Sequence, residues 1–459
     1  MRRKERYKRL LSIFLAAVII VVQTAIYAYV WFTCYDGTLP KNFFYNGHLV
    51  LIALYALLIL FFSNVYSAYK VGYLRVMDVL YSQCLSTLCV NIVTWLQLCL
   101  LGYRIMPYVP IIFMTLLDGF AILVWTLFSH WLYKKLYPPR QLLLIYGDRS
   151  PKYLIGKLNS RSDKYAIHTS VHVNEGEEKI KELINKHKAV LVCDIDSKIR
   201  NSIVKYCFGK SIRCYVMPKI SDIIIMGSDS IHLFDTPLQL SRNFGLAPEE
   251  RLLKRALDIV VSLVILIFTS PFMLIFSLCI KLYDGGPVFY KQERLTQDGQ
   301  PFMIYKFRSM RVDSEKNGAR LAMKDDDRVT PIGRILRKLH LDELPQILNI
   351  LRGEMSVVGP RPERKVIADQ YAKEIPEFPF RLKVKAGLTG YAQVYGRYNT
   401  TPYDKLKLDL YYIQNYSIFL DLKLILLTVK ILFQKENTEG VEKWQTTASK
   451  TEDNTSENK

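Results

Sequence analysis

The chain has 459 residues, 62 Lys and Arg against 42 Asp and Glu, a formal net charge of +20, and half of its residues apolar. That apolar share excludes a disordered chain, and the length implies two or more domains. The positive charge suits nucleic acid, an anionic membrane face or a phosphorylated substrate; no nucleic-acid motif or stacking platform accompanies it, so membrane and phosphate explain it better.

The first nine residues, MRRKERYKR, are basic, and the uncharged run 10–32 that follows is long enough for a bilayer at about 20 residues per crossing. It is longer than a signal-peptide core and is followed by further apolar segments, so a retained helix is expected. Spans at 43–62, 84–101 and 109–132 bring the count to four crossings within residues 1–140. Positive residues at the N-terminus, at Lys70 and Arg75, and at Lys134, Lys135 and Arg140 assign those sides to the cytoplasm; the opposite loops carry only Lys41, beside Asp36, and Arg104. An even count returns the chain to the cytoplasm after residue 140. Asp118, inside the fourth span, is either a functional group or a hydrogen-bonding partner for a neighbouring helix. The eight cysteines form no CxxC pair and no Cys/His cluster at zinc spacing, so reduced thiols and no structural metal are expected.

From 141 to 244 short apolar runs (LLLIYG, AIHTSVHV, KAVLVCDI, SIRCYVMP) alternate with polar helical stretches, a βαβ rhythm that predicts a parallel sheet in a Rossmann-like α/β domain. Gly147 is followed by no second glycine until Gly156, so the dinucleotide fingerprint is absent and a structural or regulatory role is preferred.

The run 259–280 holds no charge and could be a fifth crossing, yet Arg251, Lys254 and Arg255 precede it while Lys281, Lys291 and Arg294 follow, so both flanks read as cytoplasmic. Ser270-Pro271 interrupts it near the middle, where proline removes a backbone donor and favours a kink or break. A re-entrant helix that enters and leaves on one face fits both facts; a kinked spanning helix is the alternative.

In LDELP, Asp342 and Glu343 sit at a predicted helix start with Pro345 in the first turn and Asp342 as the natural N-cap. Capping alone would account for Asp342, but Arg334, Arg337, Lys338, Arg352, Arg361 and Arg364 crowd the acids, an arrangement suited to holding phosphates. In YKFRSM, Lys306 and Arg308 flank Phe307 as on a half-buried strand with one basic face. In GPRP, two prolines limit the backbone freedom around Arg361, although a plain turn would read the same way.

The ordered segments KRALDIVVSLVILIFTSPF, YKQERLTQDGQPFMIYKFRSM, DDDRVTPIGRILRKLHLDELPQILNILRGEMSVVGPRP and VKAGLTGYAQVYGR resemble the bacterial polyprenol-phosphate phosphoglycosyl transferases of the monotopic type, over about residues 254–433. With four spans and an α/β domain in front, the chain resembles the long form that initiates capsule or exopolysaccharide repeat units. The fold class implied is a multidomain membrane α/β protein: a four-helix membrane bundle (1–140), the Rossmann-like domain (141–244), a catalytic domain with its re-entrant helix (251–434) and a polar tail (435–459). The resemblance implies transfer of a sugar 1-phosphate from a UDP-sugar to undecaprenyl phosphate with release of UMP. It assigns Asp342 as nucleophile, Glu343 as ligand of magnesium, and Lys306, Arg308, Arg337 and Arg361 to the substrate phosphates. It also implies a homodimer, the inner leaflet of the bacterial cytoplasmic membrane as a partner surface, and a catalytic domain on the cytoplasmic face. Glucose or galactose 1-phosphate is the preferred cargo. Glu354 stands where the family has Asp in GDMS, and Ala386 and Tyr391 replace the family's Pro and Trp around GLTG. Two rivals are a glycosyltransferase using Asp325, Asp326 and Asp327 for a metal-bound nucleotide sugar, and a membrane scaffold; the second predicts a damaged acid pair, and this pair is intact.

Overall fold

In the computed structural model, which describes residues 7–39, 45–147, 152–159, 161–241, 245–311, 328–396 and 400–432, the apolar runs near the start form four long helices. These are α1 (Lys8–Val30, continued by a π-turn Trp31–Tyr35), α2 (Tyr45–Val65), α3 (Val76–Gly102) and α4 (Val109–Leu136). They pack in a closed ring, each against its sequence neighbours and α4 back against α1. Residues 1–6, Lys41, the acidic triplet 325–327 and the tail from 435 lie outside the described residues.

Helix α3 begins eight residues before the predicted span because its first half is inside out. Ser82, Gln83, Ser86, Thr87, Asn91 and Thr94 are buried at helical spacing, while Leu88, Ile92 and Leu96 face outward. Lipid offers no hydrogen bonds, so the polar stripe turns to the bundle axis, where Gln23 donates to Thr87 (2.8 Å), Ser63 meets Ser86 (2.9 Å) and Tyr55 donates to Asn91 (3.0 Å). Asp118 is fully buried in this network, and Asn91 reaches its carboxylate at 3.4 Å. Aromatic side chains complete the packing: Tyr27 stacks on Tyr55 at 4.3 Å, and the Trp125 indole N–H donates to the Leu15 carbonyl at 2.9 Å.

The βαβ rhythm becomes a four-stranded parallel sheet in the order β2-β1-β3-β4, with β1 Arg140–Tyr146, β2 Tyr165–His172, β3 Ala189–Cys193 and β4 Arg213–Val216. Central β1 buries Leu142 to Ile145 on both faces, as its unbroken apolar run requires, whereas edge strand β2 alternates. The sheet is flanked by α5 (Lys152–Asn159), α6 (Glu177–Lys186) and α7 (Ser197–Gly209), and Ile180, Ile184, Ile203 and Cys207 fill its core. Gly147 is explained by packing: a Cβ there would stand 2.3 Å from the Asp194 carbonyl oxygen.

The chain divides into two compact units, 1–217 and 218–459. The segment after β4, read from sequence as part of the middle domain up to 244, instead belongs to the second unit. Ile220 and Ile223 of α8 (Ile220–Met226) enter its core with Leu406, Leu410 and Ile413, because a seven-residue helix has too little apolar surface to stand alone. A hairpin of β5 (Asp229–Leu233) and β6 (Thr236–Leu240) follows.

Helix α9 (Pro248–Asp284) is the fifth helix long and apolar enough to cross a membrane. Its chain does not break at Ser270-Pro271; helical conformation continues through Asp284. Pro271 leaves the Ile267 carbonyl without its N–H partner, and the Ser270 hydroxyl donates to that oxygen at 3.2 Å. The rest of the unit comprises the hairpin β7 (Phe289–Leu295) and β8 (Pro301–Phe307), α10 (Pro331–Lys338), α11 (Gln346–Arg352), β9 (Ser356–Val358), α12 (Lys365–Glu374), β10 (Gly387–Thr389), α13 (Tyr391–Tyr395), α14 (Pro402–Gln414) and α15 (Ile418–Leu432). Strands β9 and β10 pair in parallel.

Candidate active site

The acids are presented by a 3-10 turn, Leu341–Glu343. His340, at φ 54° and ψ 22°, adopts the left-handed conformation that few non-glycine residues take, and this turns the chain sharply out of α10. Leu341 and Leu344, three apart, pack on the cluster of Ile280, Phe307 and Leu336, which leaves Asp342 and Glu343 on the opposite side. Helix α11 starts later, capped by Pro345, so Asp342 is not the N-cap expected from sequence. A role in capping therefore does not account for it.

Glu343 is gripped by two cations from distant parts of the chain. Lys306 Nζ donates to Glu343 Oε1 at 2.6 Å from the end of β8, and Arg361 donates to the same oxygen at 2.8 Å. Burial alone would push the Glu343 carboxyl up, but Arg361 and Lys306 hold it well below the usual carboxylate range. Asp342 goes the other way. Burial and then the neighbouring Glu343 charge push its carboxyl up against the opposing pull of Lys306 and Arg337, and no hydrogen bond among the described residues engages it. Two adjacent carboxylates thus have different characters: one locked as an anion, the other more basic and free of partners.

Arg361 is placed by its loop. Pro360 accepts from Gly387 N–H at 2.9 Å, the Arg361 carbonyl accepts from Arg381 at 3.0 Å, and the Pro362 carbonyl accepts from Arg294 at 3.2 Å. The guanidinium itself is half exposed. Arg337 stands beside Asp342 with its Nε donating to Ser309 at 2.8 Å. The turn that carries Arg337 depends on Gly333, where a Cβ would lie 2.0 Å from the Ser309 carbonyl oxygen. Arg308 is buried just past β8 and pairs with Asp284 at the end of α9. Of the other cations predicted near the acids, Arg352 donates to Tyr305 OH at 2.8 Å. Glu354 accepts from Asn349 at 2.7 Å, and Ala386 is buried in the core.

The sequence reading missed a set of contacts that fasten α9 to this site. Lys254 Nζ donates to Asp421 Oδ2 at 2.6 Å and to Tyr412 OH at 3.0 Å, and Tyr412 donates to Asp421 Oδ1 at 2.7 Å, all buried. Arg255 donates to the Ile350 and Leu351 carbonyls at 2.6 and 2.7 Å, and Asp258 accepts from Ser356 Oγ and Val357 N–H, both at 2.9 Å. Lys254 and Arg255, read from sequence only as a cytoplasmic basic flank of the apolar run, thus also hold the unit together. The contacts cross 95 to 167 residues, a separation at which no local pattern signals a pair.

Among the described residues no group of three or more His, Cys, Asp or Glu converges as an all-protein metal cage. Magnesium is commonly held instead by one or two carboxylates with water and substrate phosphate oxygens, and the adjacent Asp342 and Glu343 fit that donor set.

The acid pair, the cations around it and the start and end of the apolar helix α9 thus meet in one unit. The bacterial sugar transferase family profile matches residues 249–435. The chain is 41% identical over 189 residues to UDP-N-acetylgalactosamine-undecaprenyl-phosphate N-acetylgalactosaminephosphotransferase of Aeromonas hydrophila, covering 40% of this chain and 45% of that protein. It is 41% identical over 208 residues to UDP-glucose:undecaprenyl-phosphate glucose-1-phosphate transferase of Escherichia coli K12, covering 44% and 43%. It is 41% identical over 189 residues to UDP-glucose:undecaprenyl-phosphate glucose-1-phosphate transferase of Caulobacter vibrioides, covering 40% of this chain and 71% of that shorter protein. The chain therefore belongs to the bacterial sugar transferase family. The match spans less than half the length of the Aeromonas and Escherichia relatives.

Proposed function

We propose that the protein transfers a sugar 1-phosphate from a UDP-sugar to undecaprenyl phosphate, releasing UMP, and so initiates synthesis of an exopolysaccharide or capsule repeat unit. The observation that carries this reading is the pairing of an unengaged, basic Asp342 with a Glu343 fixed between Lys306 and Arg361. An Asp342 carboxylate oxygen attacks the sugar-bearing phosphorus, the bond from that phosphorus to the oxygen of the leaving UMP breaks, and the sugar phosphate remains on Asp342. Lys306, Arg337 and Arg361 attract the diphosphate and balance the charge that builds on its oxygens. An oxygen of undecaprenyl phosphate then attacks the same phosphorus and frees the Asp342 carboxylate. Magnesium, when held by Glu343 and diphosphate oxygens, would neutralise charge at the reacting phosphoryl group. Relatives named for N-acetylgalactosamine and for glucose match at the same 41% identity, which supports the shared residues reading phosphate and nucleotide more than sugar.

The lipid acceptor calls for a site at the membrane surface, and α9 supports one. Arg255 and Asp258 near its start and Ile280 and Asp284 near its end rest on the same catalytic unit, while Leu263, Ile267, Phe268, Phe272 and Leu274 between them stand exposed. Both ends of a spanning helix could not dock on one unit across about 30 Å of hydrocarbon, so the pattern favours a helix that dips into the inner leaflet and returns, with the catalytic unit on the cytoplasmic face. The test is to incubate purified protein with magnesium and UDP-sugars without lipid acceptor, then measure intact mass and UMP. A sugar-phosphate increment on the wild type and none on Asp342→Asn is expected. Lipid-dependent release of UDP with no adduct would refute the reading.

A further inference from the structure

Next to the acid pair, under the Pro360-Arg361-Pro362 loop, lies a cavity of about 70 Å³. Phe378, Val384 and Ala386 give it a buried apolar floor. Ala368 and Ala372, four apart on α12 and so on one helical face, border it with nothing larger than methyl groups. Arg361 is part of its wall and also holds Glu343, so one side chain joins the cavity to the acids.

One buried donor in this wall lacks a partner, and an acid beside it has acceptor capacity to spare. Arg381 is 5% exposed; it donates one Nη to the Arg361 carbonyl and faces Asp409 at 2.8 Å, yet its buried Nε–H donates to nothing. The Glu363 carboxylate stands 3.8 Å from Arg381 and 3.9 Å from Arg294, too far for hydrogen bonds, and accepts none among the described residues. The buried Nε–H of Arg294 is likewise unmatched. Buried polar groups are nearly always hydrogen-bonded, so the unmatched Arg381 Nε–H in an apolar-floored cavity marks the place of a ligand acceptor, and the partly exposed Glu363 carboxylate, ion-paired but accepting no hydrogen bond, stands beside it to take a ligand donor.

We propose that this cavity is the base pocket of the nucleotide donor and that it is shaped for uracil; the inference rests on the UDP-sugar reading above. Uracil is a small flat ring whose imide edge sets a carbonyl next to an N–H. The Arg381 Nε–H donates to a ring carbonyl, the Glu363 carboxylate accepts the ring N3–H, and the ring face lies against Phe378 and the two alanines. Arg361, at the join, takes the phosphate side. Cytosine presents a lone pair rather than N–H at ring position 3 and so sets acceptor against acceptor at Glu363, a mismatch that excludes an analogue more strongly than an apolar pocket can.

The test uses full-length protein with UDP-, CDP- and GDP-linked forms of one sugar, reading nucleoside monophosphate release for wild type, Ala372→Trp and Glu363→Gln. Filling the cavity in Ala372→Trp should raise the KM for the UDP-sugar at least tenfold against at most a threefold change in kcat. Glu363→Gln should narrow the preference for UDP- over CDP-sugar at least tenfold, since an amide can donate where the carboxylate cannot. Independently of any variant, 4-thio-UMP irradiated on the wild type should crosslink to the peptide 360–386, in competition with UMP. An unchanged KM in a folded Ala372→Trp, or crosslinks confined elsewhere, overturns the pocket; if Ala372→Trp fails to fold, the crosslink decides. A wild type that releases no UMP from any UDP-sugar refutes the transferase reading itself, whereas an active wild type with insensitive cavity variants overturns the pocket alone.

Discussion

The buried triad of Lys254, Asp421 and Tyr412 provides a demanding test of how α9 is tied to the catalytic unit. Lys254 and Asp421 side chains are 7% and 1% exposed and 2.6 Å apart, so replacing either one strands a charge in the interior. Breaking such a pair by removing one partner costs about 3–5 kcal/mol, whereas replacing both by apolar residues of similar volume is close to neutral. For a unit of this size about 1 kcal/mol corresponds to roughly 2–4 °C in Tm, so Lys254→Met or Asp421→Leu alone should lower Tm by about 6–20 °C. Tyr412→Phe, which removes one of the two donors to Asp421, should cost about 1–3 kcal/mol. The double variant Lys254→Met/Asp421→Leu should recover most of the loss. The assay is thermal unfolding by intrinsic fluorescence of detergent-purified protein, run as a double-mutant cycle with UMP release measured in parallel. Tyr412 OH also lies 3.3 Å from the Val358 carbonyl, three residues before Arg361, so the single variants should lose turnover along with stability. Additive Tm changes, or single variants within about 2 °C of wild type, would refute the reasoning.

The carboxylate pair gives opposite pH signatures. Because the Asp342 carboxyl is raised, its ionisation opposes folding once the pH exceeds the unfolded value of about 3.9; Asp342→Asn should abolish turnover while holding or raising Tm at pH 7–8, the difference closing as the pH is lowered. Glu343 is lowered, so its pairing stabilises the fold above about pH 4.3 and is lost as the pH falls through its depressed folded value; Glu343→Gln should lower Tm at neutral pH and reduce kcat/KM by about 10²-fold, and an unchanged magnesium response would count against its role as a metal ligand. For topology, single cysteines at Leu252→Cys and Leu282→Cys, both exposed positions, in a background without the native cysteines should react with an impermeant maleimide from the same side. Labelling from opposite sides would establish a crossing.

The parts of this protein that were legible in sequence are those in which each residue's fate is set by its neighbours. Four apolar runs had one solution in a bilayer, and strands β1 to β4 appeared where short apolar runs alternate with polar helices. The start of α3 was misplaced for a physical reason: hydropathy averages around the helix, while the bundle sorts polar from apolar residues by face, so buried Ser82, Gln83 and Ser86 diluted the signal of a helix that continues through them. Helix α8 escaped assignment because seven residues carry no record of which unit they join; only Leu406 and Leu410, nearly two hundred positions later, determine that.

At the candidate site, Asp342, Glu343, Lys306 and Arg361 stand out in the sequence as candidates, but their spatial relations do not. Which cation holds which acid depends on the 3-10 turn after His340 and on a loop pinned by Arg381 and Arg294, and these bring positions 306, 343 and 361 to one carboxylate oxygen. That geometry separates two chemically identical groups. Clamped between two cations, Glu343 is held below the usual carboxylate range, while burial pushes Asp342, outside the clamp in a partly buried turn, the other way. The proposed division of labour, Asp342 as nucleophile and Glu343 as electrostatic support, requires that two adjacent acids be told apart, and Lys306 and Arg361 do so by donating hydrogen bonds to Glu343 alone.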